Sequence, residues 1–389
     1  MPALRLDAAV PPPELHDLRR DVRAFLAEET AAGRIAPHAD NWLAGWDPAF
    51  SRRLGERGWI GMTFPREYGG SGAGSLARFV VTEELLAAGA PVAAHWIADR
   101  QSGPSLLKFG TEEQRRAYLP GIARGETSFA IGMSEPDSGS DLASVRTRAE
   151  RADGGWTVNG TKVWTSGAHL ADAMIALVRT GPAGESRHEG LTQLIVDLRS
   201  PGLEIRPIRL LTGEHHFNEV VLTDVFVPDN RVLGTVGDGW RQVTSELSFE
   251  RSGPERILST FPLLAAVVGR LAERRADAAD RARVGMVVAR LWALRRMSLA
   301  VAARLAAGDA PATEAAVVKD LGTRFEGALT ETVRLLARVE PDLASSDPLA
   351  HLLAQSVLHG PGFTLRGGTN EILRGVVAKA MQAGTGEAR

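Results

Sequence analysis

The hydrophobic residues of this chain change their spacing twice along its length, and no other sequence feature restricts the fold as much. Residues 14–128 carry apolar side chains at helical spacing, as in the segment LHDLRRDVRAFLAEE. Residues 129–235 form short runs rich in β-branched and aromatic residues, and helical spacing returns from residue 238. We therefore expect a helical region, a β region and a second helical region, in that order.

This order predicts an α+β multidomain fold. It has an N-terminal helical domain over 1–128, a middle antiparallel β domain over 129–235 and a C-terminal helical bundle over 236–389. The strand candidates are AMIALVRT, LTQLIVDL, LEIRPIRL and FNEVVLTDVFVP, each bounded by Gly, Pro or Asp. The dipeptide Asn159-Gly160 predicts a hairpin turn between two β-rich runs. In the last region a helix is expected to run through 243–258, and short connections between long helices predict a bundle.

Composition excludes several classes of function. The 389 residues are 44% hydrophobic with a net charge of −2, so overall charge attracts neither nucleic acid nor an acidic membrane. The absence of cysteine excludes disulfides and Cys-based metal or nucleophile sites, and no metal site is predicted. Without an uncharged run of about 18 apolar residues or a signal-peptide core, we expect a cytoplasmic protein with no membrane partner. Arginine carries nearly all the positive charge, a bias that indicates a GC-rich genome more than chemistry.

The segment GMSEPDSGSDLASVRTRA predicts a polar loop after the strand-like SFAI. The hydroxyls of Ser134, Ser138 and Ser140, together with backbone N–H groups, suit an anion or a polar heterocycle. The alternative interpretation is an ordinary surface turn.

A second segment, KVWTSGAH, places Trp164 beside the hydroxyls of Thr165 and Ser166. A flat aromatic ring next to hydroxyl donors could flank a flat ligand. It could equally be a core tryptophan followed by turn residues.

Glu250 interrupts an apolar stripe that includes Val243 and Leu247 at spacings of four and three residues. A carboxylate on a buried helix face loses hydration, so its pKa rises toward the range that a general base needs near neutral pH. Gly253 and Pro254 would kink the helix and open space beside it. The alternative is a structural glutamate neutralised by Arg251 or by a neighbouring helix.

The segment RGGTNEILRG predicts a helix whose start carries few side chains. Thr369 or Asn370 would cap that helix. Gly367 and Gly368 allow a ligand to lie against the backbone, where N–H groups and the helix dipole favour an anion or pyrophosphate. An ordinary glycine-rich helix entry is the alternative.

Four segments taken together are more specific than any one of them. MSEPDSGSD, GTKVWTSGA, GWRQVTSELSFERSG and GGTNEILR, in this order, resemble the acyl-CoA dehydrogenase family. The helical, β, helical order is similar too, and the resemblance spans about residues 15 to 385.

The resemblance implies FAD as the cofactor. The cofactor-binding residues that it implies are Ile131, Met133, Ser134, Trp164, Thr165, Ser166, Thr369 and Asn370. Ser134 would contact the flavin, Trp164 would pack on it, and Ser166 would reach the side of the ring that carries N5. Thr369 and Asn370 would receive the FAD phosphates, and Ser140 would lie near the pantetheine or phosphate of CoA.

The implied reaction is the α,β-dehydrogenation of an acyl-CoA thioester. In many members the catalytic carboxylate directly precedes a Gly-Thr pair, but here Arg366 and Gly367 stand there and neither can be a base. A minority of members, known for branched or bulky acyl chains, carry the base on the long helix after the β domain. SFERSG resembles that segment, which assigns the base to Glu250 and places Arg251 near CoA or the base.

The partners implied by the resemblance are an acyl-CoA substrate and an electron-transfer flavoprotein. The family's Arg-x-x-Phe-Gly and Gln-x-x-Gly-Gly-x-Gly motifs, which serve the FAD of a neighbouring subunit, have no counterpart here. This favours a heterotetramer with a companion acyl-CoA dehydrogenase-like chain, beside a homo-oligomer with altered FAD contacts. The alternative functions are a flavin oxidase or monooxygenase on the same scaffold and a non-catalytic partner subunit.

Overall fold

The N-terminal region is helical in the computed structural model, which describes residues 4–250, 253–274 and 276–386, without the side chains of 246–250 and 383–386. Its helices are α1 (Glu14–Ala31), α2 (Asn41–Ala44), α3 (Pro48–Glu56), α4 (Gly74–Ala87), α5 (Ala93–Ile97), α6 (Gly103–Phe109) and α7 (Glu112–Ala123). As predicted, α1 buries one face, with Val22, Phe25 and Leu26 inside. Helix α7 begins with a capping box, in which the hydroxyl of Thr111 accepts the backbone N–H of Gln114.

The middle region forms one sheet. Its strands are β1 (Phe129–Gly132), β2 (Arg148–Ala152), β3 (Gly155–Lys162), β4 (Ala173–Arg179), β5 (Leu191–Asp197), β6 (Leu203–Arg209), β7 (His215–Pro228) and β8 (Val232–Leu233). The order is β6-β7-β3-β2-β4-β5-β8, with β1 on β4. The four strand candidates are confirmed as β4 to β7. The sheet is largely antiparallel, but β1 pairs with β4 in parallel, and so does Arg148, the first residue of β2.

The predicted hairpin lies at the wrong dipeptide. Asn159 and Gly160 lie inside β3, at a bulge where Gly160 adopts a φ of 151°. A Cβ there would come within 2.4 Å of Thr147 Oγ1, so close approach explains this glycine. The turn between β2 and β3 uses Asp153-Gly154, a dipeptide with the same hairpin chemistry.

Helices return after the sheet. They are α8 (Gly239–Glu250), α9 (Phe261–Glu273), α10 (Ala278–Ala306), α11 (Ala312–Ala337), α12 (Pro348–Phe363) and α13 (Asn370–Gly386). The prediction of one helix through 243–258 is wrong, because α8 ends at Glu250 and Pro254–Arg256 forms a 3₁₀ turn. Proline cannot donate to the preceding turn, so Pro254 begins a new segment rather than kinking the old one.

The chain divides into two compact units. The first, here called the helical unit, runs from the N-terminus to Trp42, over Ala73–Ala90 and from Ser248 onward; the second, here called the sheet unit, comprises Leu43–Gly72 and Pro91–Leu247. One face of the sheet carries the core of the sheet unit, with alternate residues such as Met174, Ala176 and Val178 buried together. The domain boundaries at 128 and 235 stay predictions. In the described ranges, no helix is long and apolar enough to cross a membrane.

Candidate functional site

The two polar loops predicted from sequence lie side by side in the sheet unit. One follows β1 and the other follows β3. The backbone N–H of Val163 donates to the carbonyl of Ser134 at 2.9 Å. The ammonium of Lys162 donates to the carbonyl of Met133 at 3.2 Å. Both loops are therefore fixed relative to each other by bonds to the backbone.

A buried ion pair lies beneath these loops. Lys162 is 0% exposed, and its Nζ lies 2.8 Å from Glu135 Oε1. The Glu135 carboxylate also accepts the backbone N–H groups of Arg146 at 2.7 Å and Thr147 at 2.9 Å. Burial lowers the pKa of Lys162 to about 8, since the Glu135 charge offsets only part of the lost hydration. Burial acts to raise the pKa of Glu135, but Lys162 and the hydrogen bonds outweigh it and the pKa is lowered.

Trp164 is not a core residue, which rules out one of its two interpretations. Its side chain is 55% exposed, and its backbone has a φ of 59°, which is uncommon for a bulky residue. Its ring meets Phe217 edge to face at 5.8 Å. The next residue is held on both sides, because Thr165 and Asn218 exchange backbone hydrogen bonds at 3.0 and 3.1 Å. This clamp maintains the strained conformation and presents the indole to the surface.

Thr165 carries an unsatisfied polar atom. Its side chain is fully buried, and its Oγ1 has no hydrogen-bond partner among the residues that the structure describes. A buried hydroxyl without a partner is costly unless a ligand or water satisfies it. Together with the exposed Trp164 ring, this donor set fits a flat heterocycle with polar edges, such as the isoalloxazine of FAD.

The other predicted residues of these loops differ in exposure. Ile131, Met133, Ser134 and Ser166 are half-buried. Ser138 is buried and donates to the carbonyl of Asp141 at 2.9 Å, so its hydroxyl serves the loop itself. Ser140 is exposed.

The glycine segment before α13 belongs to the helical unit. Gly367 and Gly368 adopt φ values of 69° and 85°, which favour glycine. A Cβ on Gly367 would come within 2.7 Å of Arg256 Nη2, so this backbone lies directly on a guanidinium. The Thr369 hydroxyl accepts the backbone N–H of Ile372 at 3.4 Å and caps the helix. A glycine turn that leads into a helix start beside a cation fits the phosphates of a nucleotide.

Asn370 points inward instead of capping the helix. It is buried, and its Oδ1 accepts the ammonium of Lys319 at 2.7 Å and the hydroxyl of Thr323 at 3.2 Å. Lys319 is fully buried and also donates to the carbonyl of Gly368 at 2.8 Å. The side-chain amide of Asn370 therefore fixes the turn from inside.

Arg366 occupies a buried ion pair. Its guanidinium bonds both carboxylate oxygens of Asp40, at 2.7 Å to Oδ1, and it donates to Ser259 Oγ at 3.1 Å. It stacks over Trp42 at 4.6 Å from the ring centroid. The position before Gly367 thus holds a fixed cation, and the sequence contained no signal for its partner Asp40.

Glu326 is a further buried acid that the sequence analysis missed. It is fully buried in α11, and its Oε1 accepts the backbone N–H of Ser259 at 2.7 Å, while its Oε2 has no partner in the described part of the chain. Burial raises its pKa to about 7, although the Arg366 charge acts in the opposite direction. Perturbed carboxyl groups are often catalytic, but a fully buried one is closed to a substrate. We interpret Glu326 as structural.

Glu326 predicts a pH dependence of stability. A carboxyl group whose pKa is raised by folding contributes stability that is complete below its unfolded pKa and is lost as pH rises through about 7. We expect the Glu326→Gln variant, which keeps an acceptor for Ser259, to gain up to about 3 kcal/mol over the wild type between pH 5 and pH 8. Urea unfolding at both pH values measures this. Glu331→Gln, an exposed change in the same helix, is the control; equal pH slopes for wild type and Glu326→Gln would disprove the assignment.

The catalytic candidate Glu250 is the last residue of α8. The side chain of Glu250 and all of Arg251 lie outside the described residues, as does the side chain of Leu247. Val243, which begins the predicted stripe on α8, is fully buried in a cluster with Val145, Leu177 and Leu191. The inward face of α8 is therefore confirmed at Val243, and the assignment of Glu250 stays a prediction.

Comparison with known proteins gives a consistent family. The profile of the acyl-CoA dehydrogenase N-terminal domain matches residues 12–126, and that of the acyl-CoA dehydrogenase middle domain matches residues 130–225. The acyl-CoA dehydrogenase IpdE1 of Mycobacterium tuberculosis is 34% identical over 94% of this chain and 97% of its own. FadE34 of the same organism is 35% identical over 95% of this chain, which spans about half (49%) of that protein.

Solved structures agree with the sequence relatives. The structure named Tcur3481-Tcur3483 steroid ACAD has a TM-score of 0.85 and 29% identity, over 96% of this chain and 98% of that one. The ChsE4-ChsE5 complex of M. tuberculosis has a TM-score of 0.81 and 27% identity, over 96% and 98%. The predicted fold class is therefore confirmed.

Proposed function

The chain belongs to the acyl-CoA dehydrogenase family, and on that premise we propose that it catalyses the FAD-dependent α,β-dehydrogenation of a bulky acyl-CoA thioester with Glu250 as the base. Cofactor and enzyme class follow from the family. The base, the contacts to the cofactor and the acyl group are proposals.

In the proposed mechanism one carboxylate acts as the base, and two loop segments of the sheet unit orient the flavin. Glu250 removes the proton from the carbon next to the thioester carbonyl. FAD, when bound, would supply the acceptor for the hydride that leaves the β carbon. Trp164 presents its face to the ring, while the Thr165 hydroxyl and the segment at Ser134 hydrogen-bond its polar edge and fix its orientation.

Other residues bind the ends of the two ligands. The backbone N–H groups at the start of α13, with the Thr369 turn, bind phosphate oxygens. Asn370 supports that turn from inside. Ser140 and Arg251 contact CoA.

The observation that carries this proposal is the pairing of Trp164 with Thr165. A strained, exposed indole next to a buried hydroxyl without a partner has no explanation in the packing of the sheet unit. A ligand with an aromatic face and a polar edge would satisfy both. Arg366 directly precedes Gly367 and is paired with Asp40, and a guanidinium accepts no proton. This supports a catalytic base at another position.

The direct test is spectroscopic. We expect the purified chain, alone or with its companion, to carry FAD and to show the visible absorption of oxidised flavin. Under anaerobic conditions, a CoA thioester with a bulky acyl group should bleach that absorption, and butyryl-CoA should do so far more slowly. Flavin that stays oxidised with every acyl-CoA tried would contradict the proposal. Bleaching followed by rapid peroxide formation in air would favour an oxidase.

We propose further that the chain works with a companion acyl-CoA dehydrogenase-like chain and passes electrons to an electron-transfer flavoprotein. The missing FAD-donating motifs support a companion, and two similar structures are named as pairs of chains. Steroid appears in the name of one of them, which supports a large acyl group. Coexpression with the companion should give about one FAD per pair of chains, whereas a homo-oligomer that binds FAD fully by itself would exclude the need for a companion.

A further inference from the structure

Lysine is rare in this chain, and one of its lysines lies in an unusual place. Of the 45 Lys and Arg residues, only four are lysines: Lys108, Lys162, Lys319 and Lys379. Lys162 is fully buried directly beneath the two polar loops of the sheet unit. We propose that Lys162 is a positioning residue for the flavin, one that fixes the loop of Ser134 against the loop of Trp164 without touching the ring itself. This inference rests on the proposed function, since it presupposes that these loops hold FAD.

The contacts of Lys162 support this role, because one ammonium connects both loops. Its Nζ donates to the carbonyl of Met133 at 3.2 Å and to Glu135 Oε1 at 2.8 Å. Ser134 lies between these two acceptors in sequence, and Trp164 follows Lys162 by two residues. The ammonium of Lys162, together with the backbone bond from Val163 to Ser134, therefore sets the position of Ser134 relative to Trp164.

Glu135 extends the connection to a third segment. Its two oxygens accept the backbone N–H groups of Arg146 and Thr147, just before β2. Charge-assisted hydrogen bonds are shorter and stronger than neutral ones, and in a buried site water does not compete for them. The pair thus holds three segments together at one point.

The chemistry of the site explains why this cation is a lysine in a chain whose positive charges are mostly arginines. An ammonium is a compact charge with three donors, whereas a guanidinium is a wide planar fork. The acceptors here are one backbone carbonyl and one carboxylate oxygen, which do not present the parallel pair that a guanidinium matches. Burial of the larger group would push the loops apart.

The first test measures FAD affinity in the Lys162→Met variant. Methionine keeps most of the apolar stem and removes the ammonium. We expect the FAD dissociation constant to rise about tenfold to hundredfold, the value of one or two charge-assisted hydrogen bonds. The visible flavin band should shift as well, since Trp164 and the polar edge donors move relative to the ring. Lys379→Met, an exposed change in α13, is the matched control and should alter neither quantity.

A second test restores the ammonium chemically. Because the chain has no cysteine, Lys162→Cys would introduce its sole thiol. Alkylation of that thiol with bromoethylamine in denaturant, followed by refolding with FAD, replaces lysine by a thioether analogue of equal length. Wild-type protein taken through the same cycle is the reference. We expect the alkylated variant to recover FAD affinity and the wild-type band position, and the unalkylated variant to recover neither.

The outcomes separate this inference from its premise. Wild-type chain that binds no FAD even together with its companion contradicts the proposed function. If the wild-type chain binds FAD, and Lys162→Met has the same FAD affinity and band position as Lys379→Met, only the positioning role is overturned. If Lys162→Met does not fold, Glu135→Gln decides, because it removes the charge while keeping the shape of the side chain and one of its two oxygen acceptors. We then expect a severalfold weaker FAD affinity with a shifted band, and an unchanged affinity would overturn the inference.

Discussion

A Glu250→Gln variant is expected to keep its FAD and to lose turnover by roughly 10⁴-fold, the upper range for removal of a general base. Glutamine has nearly the shape of glutamate but cannot accept the α-proton. The loss should therefore appear in kcat with little change in KM, as for a group that acts in the transition state. Anaerobic bleaching of the flavin by acyl-CoA, followed in a single turnover, measures the chemical step directly.

The control for this variant is Glu273→Gln, an exposed change of the same kind in α9. It should leave both FAD content and the bleaching rate unchanged. If Glu250→Gln bleaches at the wild-type rate, the base lies elsewhere and the assignment from SFERSG fails.

The second large effect concerns stability. We expect Arg366→Met to lower the free energy of unfolding by about 3–5 kcal/mol, because it leaves the carboxylate of Asp40 buried without its cation. Asp40 is 3% exposed, so water does not replace the lost partner. The stacking of the guanidinium on Trp42 is lost as well. Urea unfolding of the apoprotein, monitored by far-UV circular dichroism, gives the difference.

An ion pair whose arginine is half-exposed, and whose carboxylate keeps Arg324 as a second cation, provides the comparison. Arg374 bonds Asp320 at 3.1 Å, with about half of its side chain (54%) in solvent. Arg374→Met should cost less than about 1 kcal/mol. If the double change Asp40→Asn with Arg366→Met is no more stable than Arg366→Met alone, an uncompensated carboxylate is not the cause.

Periodicity and turn chemistry were enough to predict most of the elements. The strands β4 to β7 follow from β-rich runs between turn residues, and Thr111 was recognisable as the start of α7. The hairpin was misplaced because two dipeptides with the same turn chemistry, Asp153-Gly154 and Asn159-Gly160, lie six residues apart. What decides between them is the close approach of Thr147, the residue before β2, to Gly160 in β3, a contact that no local sequence pattern records.

The residues of the candidate site also fall into two groups, those that the sequence suggests and those that only the fold brings together. Ser134, Trp164 and Thr369 lie in segments whose composition indicates a ligand, and these could be found by inspection. The ion pairs could not, because Lys162 is 27 residues from Glu135 and Arg366 is 326 residues from Asp40. Their pairing is a property of the folded chain, and one sequence gives no sign of which charges are buried together.

The scarcity of lysine has a practical consequence for mapping an assembly. Lys162 and Lys319 are buried, whereas Lys108 and Lys379 are exposed, and each exposed lysine belongs to a different unit. An amine-reactive cross-linker therefore finds two side-chain attachment points on this chain, one per unit. Any cross-link to another polypeptide, identified by mass spectrometry, would report at once which of the two units faces it.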